Sequence, residues 1–234
     1  MKSILANAIL TLFVSAYTLH VYASDMPRTA LVIGNGKYQD APLANPINDA
    51  KDIGEALRLL NFDVLEYTNI DRKSMRKAFR KFGQKLTDKK GIGFFYYAGH
   101  GVQVDGKNFL LPLGASIESE DDVFDEAVSA QYILDIMDIM EETGNDLNVV
   151  MLDACRNNPF ARSFRSQSRG LTRMLGPSGS FIAFATSPGS VASDGSNRNG
   201  IYTRYFLDHV FKPGLTIEQV FKNVRRDVEN RTGG

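Results

Sequence analysis

Tryptophan is absent from the 234 residues, histidine occurs three times and cysteine once. A single thiol, Cys155, excludes an intramolecular disulfide and any zinc site built on several thiolates. A surplus of charge of either sign is also missing, because 27 basic residues balance 27 acidic ones. That balance counts against a general nucleic-acid binder, which carries a basic excess. No internal repeat is visible. The 43% hydrophobic and 23% charged composition is that of a globular chain and speaks against disorder, collagen or coiled coil. At this length a single domain buries about 70% of the surface its unfolded chain exposes, enough for a core without staples. The lone thiol is then either buried filler or a reagent.

The first residues read as a targeting segment. Lys2 precedes a mostly apolar run from Ile4 to Ala23, and Val21-Tyr22-Ala23 places small residues three and one positions before a cut ahead of Ser24. Residues 1–23 are thus expected to be a secretory signal, leaving an exported domain over 24–234, periplasmic or extracellular. An uncleaved anchor is the alternative, since about 20 apolar residues can span a bilayer, and only then would a membrane be a partner. Losing Lys2 leaves 26 basic against 27 acidic groups.

Short apolar runs then alternate with amphipathic stretches. Ala30–Ile33, Phe62–Leu65, Ile92–Ala98, Leu147–Leu152 and Phe181–Ala185 read as strands, several apolar on both faces. Ile47, Ala50, Ile53, Leu57 and Leu60 recur at helical spacing. Asp71 can cap a helix burying Met75, Ala78, Phe79, Phe82 and Leu86. Asp105-Gly106 predicts a hairpin turn between 102–104 and 108–111. Ser116–Asp125 reads as an acidic surface loop, and Ile133, Ile136, Met137 and Met140 mark a helix ending near Gly144. Two further helices are expected over 200–211 and 216–230, the second opened by a capping box of Thr216 and Gln219. This order predicts an α/β fold, with a mostly parallel sheet of five to six strands and helices on both faces. Residues 154–193 hold five arginines (Arg156, Arg162, Arg165, Arg169, Arg173) and no acid, and 186–200 is rich in Ser, Gly and Asn. Both read as long loops at strand ends, where such sheets place their sites.

Two residues could carry chemistry together. His100, flanked by Gly99 and Gly101, is expected just past the third strand, where the glycines let the backbone turn sharply. Cys155, in Asp153-Ala154-Cys155-Arg156, is expected just past the fourth. Parallel neighbouring strands would bring both to one sheet edge, where an imidazole can activate a sulfur nucleophile. Other chemistries fit less well. Gly34-Asn35-Gly36-Lys37 lacks the Ser/Thr of a phosphate loop, and Gln39 replaces the third glycine of a dinucleotide loop. His209, among Leu207, Val210 and Phe211, reads as a packing residue. No metal site is indicated.

With these pieces in place, residues 28–234 resemble the caspase-like cysteine peptidases, specifically the bacterial members close to metacaspases. The matching stretches are Ala30–Asn35, Asn48-Asp49-Ala50, Tyr97–Gly101 and Asp153–Arg156, and the histidine precedes the cysteine by 55 residues. The resemblance implies a caspase-like fold with a large half over about 28–160 and a small half over about 178–234. It implies Cys155 as nucleophile, His100 as general acid/base, and the backbone N–H groups of Gly101 and Cys155 as oxyanion hole. It also implies protein or peptide substrates, with no cofactor required. Metacaspase-like enzymes read arginine or lysine with carboxylates, and the matching positions here are Asp49 and Asp153. Two carboxylates suit a guanidinium, although Asp49 also fits a helix-start residue favoured by the dipole. Ala98 stands where metacaspases often have serine.

Several expectations follow. With a basic-specific pocket, 156–173 becomes a candidate self-cleavage loop. The acidic run Glu118–Asp122 could bind calcium, as in some metacaspases, or be merely solvated. Relatives commonly continue beyond a Thr-Gly-Gly like that of 232–234, so the chain is expected to be a truncated form. The alternative to a peptidase is a caspase-like module kept for binding or signalling.

Overall fold

The computed structural model describes residues 26–142, 145–155, 171–176, 179–185 and 197–233, with residues 139–142, 145, 146 and 155 described by their backbone alone. The expected signal over 1–23, Arg156, Arg162, Arg165, Arg169 and most of the Ser/Gly/Asn-rich stretch lie outside these residues.

In chain order the elements are β1 (Arg28–Gly34), α1 (Pro46–Leu59), β2 (Asp63–Thr68), α2 (Arg72–Lys89), β3 (Gly91–Val104), β4 (Lys107–Leu110), α3 (Glu120–Glu126), β5 (Val128–Ser129), α4 (Gln131–Glu142), β6 (Asn145–Cys155), β7 (Ser180–Phe184), α5 (Ile201–Val210) and α6 (Ile217–Thr232). Five strands form the expected parallel sheet, in the order β2-β1-β3-β6-β7. The far end of β3 folds back on β4, and β4 pairs with β5, both antiparallel, so an arm brings the sheet to seven strands.

Strand alternation divides the core in two. Leu31, Ile33, Phe95, Tyr97, Val150 and Leu152 face Met75, Phe79 and Phe82 of α2 together with α4. Ala30, Val32, Phe94, Tyr96, Val149 and Met151 face α1, α5 and α6 on the other side. Strands apolar on both faces are the direct result, as the sequence runs predicted. The helices start where their chemistry says they should. Asp71 accepts from the Ser74 N–H at 2.7 Å to cap α2, and Thr216 and Gln219 form the capping box of α6.

Four readings are corrected. β3 does not end at Ala98 but runs unbroken through His100 to Val104, so His100 lies within a strand rather than past one. Cys155 likewise closes β6 instead of following it. The reason is that β3 exchanges its partner at this point: pairing with β1 stops at Ala98, while pairing with β6 continues to His100 and β4 takes over at Gly101. The acidic 116–125 loop is in part a helix, α3, in which Ser119 and Asp122 form a capping box. His209 is buried but not as mere packing. Its Nε2 lies 2.6 Å from Asp227, and Lys212 Nζ lies 2.9 Å from its Nδ1, which ties α5 to α6.

Gly34 marks the closest approach of β1 to α1. A Cβ there would stand 2.1 Å from the Pro46 carbonyl oxygen and 2.6 Å from Ala50 Cβ. The loop beyond it is held structurally, since Asn69 Oδ1 accepts from the N–H groups of Gly36 and Lys37, and buried Asn35 bonds Ile70 and Leu111. Gly34→Ala is therefore expected to cost about 3 kcal/mol in urea denaturation, the upper range for overpacking. Gly106→Ala has open space and only its left-handed φ of 73° to contend with, and should cost about 1 kcal/mol. Equal losses would contradict the packing argument.

Candidate active site

The last parallel partners of β3 and β6 are His100 and Cys155. One step earlier Gly99 pairs with Ala154, and before that Ala98 with Asp153. The two residues singled out for chemistry thus sit side by side at the carboxyl edge of the sheet, where parallel α/β sheets bind ligands.

His100 is 4% exposed, and its surroundings fix the ring. Nε2 lies 2.7 Å from the Ala41 carbonyl oxygen. A carbonyl only accepts, so Nε2 carries the proton, and in the neutral ring Nδ1 is the nitrogen able to take another. The ring of Tyr38 packs at 4.4 Å from the imidazole. The backbone is held just as closely. The His100 N–H donates to Tyr38 Oη at 3.1 Å, and the Tyr97 hydroxyl donates to the His100 carbonyl at 2.8 Å. Tyr38 Oη in turn donates to the Leu111 carbonyl at 2.9 Å. This explains Gly99 better than a sharp turn does, because a Cβ there would stand 2.7 Å from Tyr97 Oη and 2.8 Å from Tyr38 Oη. Gly101 follows within the same strand, opposite Leu110.

On the sheet face occupied by α1 and α5, two carboxylates converge. Asp49, in the first turn of α1, is 3% exposed and accepts from the Gly200 N–H at 3.0 Å. Asp153 accepts from Thr203 Oγ1 at 2.7 Å, and Thr203 lies 2.6 Å from Tyr96 Oη. A Cβ on Gly200 would meet Asp49 Oδ2 at 3.3 Å and Asp153 Oδ2 at 3.5 Å, so both acids point at the same backbone. Burial, then the neighbouring charge of Asp153, pushes Asp49 up to about 8. Asp49 is therefore more than a helix-start residue favoured by the dipole.

Residues 198–200 strap this pair to α1. Arg198 grips Asp52 through Nε at 2.8 Å and a second guanidinium nitrogen at 2.7 Å. Asn199 donates to Asp52 at 2.8 Å and also bonds Asp49, while Asn48 donates to the Arg198 carbonyl. The Arg198 guanidinium holds Asp52 below the usual carboxylate range, the reverse of Asp49 three residues away. Tyr38, Ala41, Arg198, Asn199, Gly200 and Thr203 were not singled out by sequence. Only the polar run Asn197–Gly200, just before an apolar helix, offered a signal. The acidic run is placed elsewhere, and Asp122 accepts from the Glu118 and Ser119 N–H groups and the Ser119 hydroxyl as part of the α3 cap.

Asp49 binds its proton more tightly in the folded than in the unfolded chain, whose carboxyls titrate near 4. Its contribution to stability is full below about pH 4 and is lost as pH rises toward 8. Asp49→Asn, which cannot ionise, should melt close to wild type at pH 4.5 and above it at pH 8, by on the order of a few kcal/mol. A gap independent of pH would contradict the burial of this acid.

The caspase domain family matches residues 27–234. The chain is 33% identical over 130 residues to mucosa-associated lymphoid tissue lymphoma translocation protein 1 of Homo sapiens, and 32% identical over 130 residues to its homologue in Mus musculus. Each match covers 55% of this chain but 15% of the relative, so the likeness is to a small part of much longer proteins. Taken with a mostly parallel sheet flanked by helices, these matches establish that the chain belongs to the caspase domain family of peptidases.

Proposed function

We propose that the chain is an exported cysteine endopeptidase that cuts after arginine or lysine, with Cys155 and His100 as its dyad. The observation that carries this reading is the pairing of His100 with Cys155 as the terminal partners of β3 and β6, with the imidazole anchored through Nε2 to Ala41.

The thiol proton passes to His100, and the sulfur attacks the scissile carbonyl carbon. The resulting oxyanion takes hydrogen bonds from the N–H groups of Gly101 and Cys155. As the C–N bond breaks, the imidazolium returns the proton to the leaving amine, and water then hydrolyses the thioester. Burial of the ring against Tyr38 and the fixed Nε2 contact restrict the imidazole to one orientation before substrate arrives.

Basic specificity rests on Asp49 and Asp153. A guanidinium entering between them supplies the positive charge that the pair lacks, and Asp49 then releases its proton. Substrate affinity should accordingly rise with pH toward 8 as that proton becomes easier to displace. The same preference makes the arginines of 156–173 candidates for self-processing between the large and small halves.

The direct test offers peptides with Arg, Lys or Asp before the scissile bond to the purified protein, with and without calcium. Cleavage should follow Arg and Lys only, and fall at least about a thousandfold in Cys155→Ala and His100→Ala. Asp49→Asn should lower kcat/KM for arginyl peptides by about 10- to 100-fold and flatten the dependence of KM on pH. No cleavage of any peptide would leave a binding module as the better reading, thiol-independent cleavage would overturn the dyad, and cleavage after Asp alone would overturn the pocket. Arg198→Ala loosens the strap without touching the dyad. Since Arg198 is 63% exposed, the expected result is a rise in KM of about fivefold with kcat unchanged.

A further inference from the structure

Helix α2 reads RKSMRKAFRKFGQKLTDK and contains a single acid, Asp88. Met75, Ala78, Phe79, Phe82 and Leu86 are buried against the sheet, which leaves Lys73, Arg76, Lys77, Arg80 and Lys81 exposed along the outer face. Lys85 and Lys89 are each 2.6 Å from Asp63. Among the described residues, no ion pair joins the other five to a carboxylate. Helix physics disfavours this arrangement. Lys73/Lys77, Lys77/Lys81 and Arg76/Arg80 are like charges four residues apart, and beyond the Asp71 cap the first turn carries cations at the positive end of the helix dipole. A neutral chain that concentrates unpaired cations on one helix face has a surface suited to an anionic partner.

The point where the chain enters the fold selects that partner. The Ile92 N–H donates to the Pro27 carbonyl at 2.9 Å, and Gly91 allows the approach, since a Cβ there would stand 2.2 Å from the same oxygen. The described chain therefore enters the fold at Pro27, beside Gly91 and the end of the basic helix, with the apolar run Ile4–Ala23 before it in the sequence. Kept as an uncleaved anchor, that run would bring the domain to a bilayer at this corner. The exposed face of α2 is also free of aromatic side chains on which the bases of a single strand could stack.

We infer that the outer face of α2 is a docking surface for the anionic headgroups of a lipid bilayer. The five unpaired cations lie along about 12 Å of one helix face, a length that a plane of headgroups can meet at once. Each Lys or Arg near such a surface is worth about a factor of five in partitioning. The inference does not depend on the peptidase reading, because α2 lies on the sheet face opposite Asp49 and Asp153.

The test floats the full chain with phosphatidylcholine vesicles, pure or with 30% phosphatidylglycerol, in 0.1 M and 1 M NaCl. Pure phosphatidylcholine measures what the apolar run contributes. The expected result is an increment of at least about tenfold with phosphatidylglycerol at 0.1 M that vanishes at 1 M, where the Debye length falls to about 3 Å. Lys77→Gln/Arg80→Gln/Lys81→Gln should abolish an increment of about tenfold, because three cations at about fivefold each outweigh it, while melting no lower than wild type. Lys77→Arg/Lys81→Arg should retain it, as should Lys222→Gln/Arg225→Gln/Arg231→Gln on α6, which changes net charge equally. Binding indifferent to phosphatidylglycerol would overturn the inference, as would equal loss in the α6 variant. Tighter binding to duplex DNA than to the anionic vesicles, with the same sensitivity to the α2 variant, would assign the surface to nucleic acid instead.

Discussion

The pairing of β3 with β6 is the constraint from which the site follows. Both strands are apolar on both faces, so burial by itself does not fix their register. The polar residues at the carboxyl end do so more effectively. A slip by one residue would turn each strand's side chains to the opposite face, taking Asp153 away from Thr203 and placing a carboxylate in the α2/α4 core. Leaving that charge buried without a partner would cost several kcal/mol. The register that keeps Asp153 bonded is also the one that pairs His100 with Cys155. The juxtaposition of His100 with Cys155 and the satisfaction of Asp153 therefore depend on the same ladder.

The acids of the pocket illustrate how environment divides identical groups. Asp49 and Asp52 lie less than one helical turn apart on α1, yet burial raises one and a guanidinium lowers the other. Desolvating Asp49 beside Asp153 is unfavourable on its own terms. It is tolerated because Gly200 and Asn199 donate to it, and they are held there by the Arg198–Asp52 grip. The strap thus stabilises a site whose unfavourable term a bound cation would relieve. In the proposed function, selectivity for a cation and the raised Asp49 carboxyl have the same physical origin.

Much of this was legible in the sequence because it is local. Strand identity and the caps at Asp71 and Thr216 need only periodicity and spacing, whereas the 55-residue interval from histidine to cysteine had meaning only through the family resemblance. Tyr38 was not legible. Its bond to His100 spans 62 residues, and nothing in its own neighbourhood distinguishes it. Arg198 reaches Asp52 across 146 residues, and a solvent-exposed arginine in a polar loop looks like any other. The expected turn at Gly99 failed for a different reason. Glycine flanking a functional residue suggested conformational freedom, whereas the position needs the missing Cβ so that two tyrosine hydroxyls can reach the backbone. The helix within the acidic loop was hidden because its acids serve a cap rather than an apolar face.

A net charge of zero conceals opposed fields kept apart by the fold. The cations of α2 and the carboxylates facing α5 lie on opposite sides of the sheet, separated by the sheet itself and by the layer packed on it. At physiological ionic strength charge is screened over about 8 Å, so the basic face does not neutralise the pocket, nor does the pocket weaken the basic face. An apolar two-sided sheet is what permits this, since it keeps water and compensating side chains out of the space between them. A basic helix face can then coexist, in a chain of 234 residues, with a pair of converging carboxylates. The edge that carries His100 and Cys155 lies at the strand ends, away from the outer face of α2.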